Sequence, residues 1–202
     1  MNIDDLTPDL VRAFPANPAE LSRLGERLAA AAQRDGILDV AYRTIDSPVG
    51  TLLLAATAQG LIRVAYASEG HDTVLQTLAD RVSPRVLHAP GRLDTAAREL
   101  SEYFAGHRRR FGLQLDLRLA AGFRRTVLSH LPEIGYGHTA TYAAVAQLAG
   151  HPRAFRAVGT ACATNPLPVV VPCHRVVRSD GSMGGYLGGP AAKRTLLALE
   201  TA

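Results

Sequence analysis

"TYAAVAQLAGHPRAFRAVGTACATN" (residues 141–165) holds two short apolar-periodic stretches separated by Gly150, His151 and Pro152. The periodicity predicts two helices, and a glycine-containing turn between them is the arrangement of a helix-turn-helix. Pro152 suits the first position of the second helix, where its missing N–H would be unpaired anyway. That helix has two faces. Ala154, Phe155, Ala157, Val158, Ala161 and Cys162 are expected to pack inward, while Arg153, Arg156 and Thr160, at offsets of three and seven, point outward together. Small side chains at Gly159, Thr160, Ala163 and Thr164 would let the helix approach a ligand closely. An ordinary helix pair with a solvated basic face is the competing reading.

Helical periodicity dominates from about residue 119, where Phe123, Val127, Leu128 and Leu131 form an apolar stripe that ends at Pro132 and the loop Gly135-Tyr136-Gly137. The first half differs. "LDVAYRTI", "TLLLAAT" and "LIRVAYA" read as three strands joined by Ser-Pro-Val-Gly and Gln-Gly turns, an antiparallel meander. Residues 72–82 and 93–105 read as amphipathic helices, and "HRRRFGLQLDL" offers a basic loop and a short strand able to join the sheet. Residues 1–36 read as a helical extension, opened at Pro18 and closed by Gly36. The pattern is α+β, with an extension at 1–36, a sheet-containing domain at 37–117 and a mostly helical domain at 118–202.

The chain of 202 residues, 47% of them hydrophobic, is long enough to bury a substantial core. It has no run of about 18 uncharged apolar residues, so no transmembrane helix is expected. Its first residues, MNIDDLTPDL, are acidic where a signal peptide would be basic, which predicts a cytoplasmic protein. The histidines are scattered without ligand-type spacing, and no metal site is expected. Charge is divided unevenly: residues 1–118 hold 14 Lys/Arg against 15 Asp/Glu, and residues 119–202 hold 8 against 3. The basic excess in the helical half would draw a polyanion such as nucleic acid, or simply be a solvated surface.

Two cysteines are too few for a disulfide framework. Cys162, in an alanine-rich helix, reads as a small buried hydrophobe. Cys173, in "NPLPVVVPCHRVV" (residues 165–177), is different. The three valines before it read as a buried strand, and Pro172 removes a donor and ends pairing there. His174 and Arg175 supply positive surroundings, expected to lower the thiol pKa from about 8.5 toward neutrality. Downstream, "SDGSMGGYLGG" is a glycine-rich loop able to bring backbone amides close to a flat ligand. On these features alone Cys173 is either a nucleophile or an inert thiol at the end of a strand.

"NPLPVVVPCHRVV", the later "GGYLGG", Lys193 and "LLALE" together resemble the active-site region of the O6-alkylguanine-DNA alkyltransferases, or methylated-DNA–protein-cysteine methyltransferases. The likeness continues upstream through "GYGHTATYAAVAQLAGHPRAFRAVG" and covers about residues 40–200. It implies a ribonuclease H-like first domain and a second domain with a winged helix-turn-helix-like unit. It further implies that Cys173 accepts the alkyl group, that His174 activates it through a water, and that Glu200 orients His174. Asn165 would hold the turn carrying the active-site segment. Tyr142 would help rotate the nucleotide and donate a proton toward guanine N3.

Arg156 would be a finger replacing the extruded guanine, with Arg153, Thr160 and Ala163 on the same DNA-binding surface in the minor groove. Val176, Tyr186, Leu187 and Lys193 would form the guanine pocket. The implied partner is double-stranded DNA containing O6-alkylguanine, bound by a monomer without any cofactor. Some positions depart from the usual pattern, among them Arg124, Leu128, His138 and Leu187, and no cysteine precedes Cys162 to build the zinc site of some relatives. Two other functions use the same residues differently: a non-reactive helix-turn-helix damage sensor, whose known relatives replace the cysteine, and a Cys-His-Glu hydrolase, which would turn over repeatedly.

Overall fold

A computed structural model describes residues 17–201. Strands β1 (Val40–Ile45), β2 (Leu52–Thr57) and β3 (Gly60–Tyr66) form the expected antiparallel meander, with Tyr42 opposite Ala55 and Leu54 opposite Val64. The Ser-Pro-Val-Gly turn is closed by Ser47, whose Oγ donates to the Gly50 carbonyl at 2.6 Å. Every residue of β2 is buried. Both faces of the sheet are covered, which is why this strand reads as an apolar run rather than an alternation. One face, with Val40, Leu53, Ala55 and Ile62, packs on α2, which begins the helical sequence after α1 (Pro18–Arg34) and spans His71–Arg81. The other face, with Ala41, Leu52, Leu54 and Val64, shares one core with α3 (Asp94–Phe104) and the second half of the chain.

The sheet differs from expectation in two places. A fourth strand, β4 (Val86–His88), lies parallel to β1, giving the order β3-β2-β1-β4. Three half-exposed residues carry no periodic signal, so the sequence does not announce it. "HRRRFGLQLDL", by contrast, adds only a single bridge between Leu115 and Leu61. Asp116 stops pairing there: its carboxylate accepts from the Thr57 hydroxyl at 2.6 Å and from the Arg118 N–H at 3.1 Å, turning the chain into a short 3-10 helix at Leu117–Leu119. In the extension, Asn17 caps α1 by accepting from the Ala19 N–H at 3.0 Å. The helical reading of residues 1–16 lies outside the described residues.

The second half is built from α4 (Gly122–His130), α5 (Tyr142–Leu148), α6 (Phe155–Ala163) and α7 (Gly189–Thr201), with two-residue strands β5 (Ala140–Thr141) and β6 (Val176–Val177) paired in parallel. Thr141 caps α5, its hydroxyl accepting from the Ala144 N–H at 3.1 Å. Val127, Leu128 and Leu131 are buried as their stripe predicts. Helices α5 and α6 form the helix-turn-helix, with two corrections. Pro152 is not in α6; it stands in a turn closed by Ala154 N–H to the His151 carbonyl at 2.8 Å, and the helix starts at Phe155. Phe155 and Ala157 are exposed, because the buried stripe is only Val158, Ala161 and Cys162 and leaves the first turn outside the core. Among the described residues no helix is long and apolar enough to cross a membrane.

Candidate active site

The valines before Cys173 are buried but form no strand. Pro166 and Pro168 have no N–H to give a ladder, Val171 donates to the Leu167 carbonyl at 2.8 Å, and Val169 sits at φ 71°. A β-branched residue in the left-handed region costs of order 1–3 kcal/mol and persists only where its surroundings fix it. Asn165 does so here. Fully buried, it accepts from the Leu167 N–H at 3.0 Å through Oδ1 and donates through Nδ2 to the Val171 carbonyl at 2.9 Å and to the Cys173 Sγ at 3.1 Å. The coil therefore ends with Cys173 in a defined place, opening a 3-10 turn over Cys173–Arg175.

Around the thiol lies a buried polar array. The Nε2 of His174 meets Glu200 Oε1 at 2.8 Å, and the Tyr103 hydroxyl donates to the same oxygen at 2.7 Å. Arg175 donates to Oε2 through Nε and to Oε1 through a terminal nitrogen, both at 2.9 Å, while its other terminal nitrogen donates to the Ile134 carbonyl at 2.6 Å. Gly137 adds its N–H to Oε2 at 3.2 Å. Burial alone would raise the Glu200 carboxyl, but hydrogen bonds from His174, Arg175 and Tyr103 hold it down at about 2. Burial lowers the His174 pKa against the opposing pull of Glu200, so the ring is neutral at physiological pH. With Nε2–H pointed at the carboxylate, Nδ1 keeps a free lone pair; it is buried and has no hydrogen-bond partner among the described residues.

The thiol itself contradicts the expected lowering. Burial pushes Cys173 up to about 11, only partly offset by the Asn165 hydrogen bond and the nearby Lys193 charge. The positive neighbours that the sequence offers are not available to it: His174 is neutral and Arg175 is matched by Glu200. What the arrangement holds ready is a protonated sulfur, an adjoining neutral imidazole oriented by a carboxylate, and an amide donor on the sulfur. With a water bridging sulfur and Nδ1, that set can pass a proton from one to the other as the sulfur attacks carbon.

Lys193 is fully buried and donates to the Val176 carbonyl at 2.6 Å, bracing β6 directly after the 3-10 turn. The Tyr186 ring lies 6.3 Å from that of His174. Tyr142, the first residue of α5, lies against the glycine loop: a Cβ added at Gly184 would stand 2.3 Å from its hydroxyl, so any larger residue there would push the tyrosine aside. Here the loop admits a tyrosine of the same chain. Leu187 lines a cleft of about 360 Å³ with Ala163, Thr164, Asn165, Arg63 and Arg124. Arg153, Arg156, Thr160 and Ala163 are exposed, and the Arg156 guanidinium stands 6.0 Å from the Phe155 ring.

Two segments match family models: residues 40–117 the ribonuclease-like domain of 6-O-methylguanine DNA methyltransferase, and residues 122–202 its DNA binding domain. The methylated-DNA–protein-cysteine methyltransferase of Mycolicibacterium paratuberculosis is 39% identical over 80% of this chain and 92% of that protein. The chain belongs to the methylated-DNA–protein-cysteine methyltransferase family. The Mycobacterium tuberculosis H37Rv protein of the same name is 41% identical over 79% of this chain and 91% of its own. A crystal structure of Mycobacterium tuberculosis OGT in complex with DNA is similar with a TM-score of 0.70 and 38% identity, covering 80% of this chain and 92% of that one.

For a methyltransferase of this family the sequence motifs identify Asn165, Cys173, His174 and Glu200, and the fold brings these four together. They do not identify Tyr103, Arg63 or Tyr66, which come from the first half. Tyr103 did carry a signal: it is a hydroxyl on the buried face of an amphipathic helix, beside Ala96 and Leu100, and such a group needs a partner. Arg63 donates at 3.2 Å to the Pro166 carbonyl, next to Asn165, and pairs with Glu69.

Proposed function

We propose that this methyltransferase repairs DNA directly, moving the alkyl group of O6-alkylguanine to Cys173 once and irreversibly. The observation that carries the reading is a pair of buried contacts on residues adjacent in sequence, Asn165–Cys173 and His174–Glu200, with the sulfur held by an amide and the neighbouring imidazole held neutral with Nδ1 free. The thiol proton passes to His174 through a bridging water as sulfur attacks the sp³ carbon. The C–O6 bond breaks and its electron pair returns to the guanine, where Tyr142 delivers a proton toward N3 and improves the leaving group. Guanine is restored and Cys173 becomes a thioether. That product has no carbonyl for water to attack, so the protein is a stoichiometric reagent.

Access requires the nucleotide to leave the stack, at a cost of a few kcal/mol that is least for a weakened pair. The exposed face of α6, with Arg156, Thr160 and Ala163, lies in the minor groove together with Arg153 of the preceding turn, and Arg156 fills the place of the extruded base. Val176, Tyr186, Leu187 and Lys193 shape or brace the guanine pocket. In this reading the chain acts as a monomer in the cytoplasm, with an extension at 1–36, a sheet domain at 37–117 and the DNA-binding, alkyl-transfer domain at 118–202. The test is duplex DNA carrying O6-methylguanine with a labelled methyl group, incubated with the wild type and with Cys173→Ala. The wild type should take up one equivalent of label, and the variant should bind DNA without taking any. Repeated turnover would mark a hydrolase, and binding without label in the wild type a sensor; either outcome contradicts the proposal.

A further inference from the structure

β3 is the outer strand of the sheet, and beyond its single bridge at Leu61 its edge meets the turn that follows Asn165. Val64 donates its N–H to the Pro166 carbonyl at 2.9 Å, beside the Arg63 contacts to the same turn. At the end of the strand Tyr66 is buried, and its hydroxyl meets that of Tyr186 at 2.8 Å. The two rings pack edge to face with centroids 5.9 Å apart. Gly188 lies on the Tyr66 ring so closely that an added Cβ would stand 2.5 Å from Cζ. Tyr186 in turn stands edge-on to the ring of His174, the residue that follows Cys173. A wall side chain tied in this way cannot swing aside without breaking a partly buried hydrogen bond and giving up the partner of the buried Tyr66 hydroxyl.

We infer that Tyr66 is a positioning residue that latches Tyr186 and thereby restricts the alkyl groups that reach Cys173, admitting methyl readily and hindering groups the size of benzyl. The inference rests on the alkyl-transfer reading above and adds what sets its substrate range. Gly188 belongs to the same device, since any side chain there would push Tyr66 off the hydroxyl it holds. No titration is involved; the latch works by geometry and by the cost of stranding polar groups.

Tyr66→Phe removes one oxygen and keeps the ring against Gly188. Rates of transfer to Cys173 are measured for matched duplexes carrying O6-methylguanine or O6-benzylguanine. Losing one neutral, partly buried hydrogen bond should raise the benzyl-to-methyl rate ratio roughly fivefold. The double variant Tyr66→Phe/Tyr186→Phe should show no further multiplicative gain, because both changes break the same bond. An unchanged ratio, or an equal fall in both rates, overturns the role of Tyr66; the second is what a merely structural residue would give. If instead the wild type transfers no methyl from duplex DNA, the alkyl-transfer reading itself fails, and the two failures are told apart by that single control.

Discussion

A thiol with its pKa near 11 is almost wholly protonated at neutral pH, yet alkyl transfer needs the thiolate. In the proposed mechanism the neighbours of Cys173 reconcile the two by stabilising charge as it develops rather than beforehand. The His174 ring accepts the proton only while neutral, which burial ensures, and the Asn165 amide points a donor at the sulfur from 3.1 Å. A thiol kept protonated until a substrate arrives is also protected from oxidation, which attacks thiolates. Removing the amide donor takes away a charge-assisted hydrogen bond made chiefly to the reacting state. Asn165→Ala should therefore slow alkylation of Cys173 by free O6-benzylguanine about tenfold or more. Single-turnover kinetics with the free base check this, and an unaltered rate would leave Asn165 with a role in the Val169 turn alone.

Helix α6 shows which element-level features the sequence carries and which it hides. Its outward face is legible from spacing at Arg156 and Thr160, which are exposed as the pattern predicts, whereas Arg153 is exposed in the turn before the helix. Its first turn was not: proline preference suggested a start at Pro152, whereas the turn at 151–154 closes on itself and leaves Phe155 outside. The three valines misled for a related reason. Local β-propensity favours a strand, but two prolines and the Asn165 hydrogen bonds coil the segment, and no window of residues 169–171 records a partner four or more residues away. If the exposed face of α6 works on duplex DNA and not on the alkyl group, Arg156→Ala should slow repair of a duplex by a much larger factor than it slows reaction with free O6-benzylguanine. Paired rate measurements on the two substrates decide it; equal slowing would contradict the finger role.

Across the whole molecule the two halves meet at the active site rather than beside it. Tyr103 crosses from α3 to Glu200, Tyr66 from β3 to Tyr186, and Arg63 from β3 to the Asn165–Pro166 turn. These long-range ties were the illegible part of the site. A motif displays residues that are neighbours in sequence, whereas Tyr103 and Glu200 are 97 residues apart and only the fold relates them. The tie through Glu200 also has a pH signature. Its carboxyl is held near 2 in the folded chain, so the unfolded chain takes up the proton first as acid is added. The stabilisation is present above the ordinary glutamate range and is lost as pH falls through it toward about 2.

Glu200→Gln leaves Arg175 buried without its carboxylate and should lower stability at neutral pH by about 3 kcal/mol, while flattening the loss between about pH 4.5 and 2. Denaturant unfolding across that range measures both effects. In the proposed reaction Cys173 alone receives the alkyl group and keeps it. Peptide mass mapping after reaction with excess O6-methylguanine duplex tests it most directly. The predicted result is a single added methyl on the peptide containing Cys173, with Cys162 unmodified and no further DNA repaired after one equivalent. A methyl on any other residue, or continued repair beyond one equivalent, would contradict it.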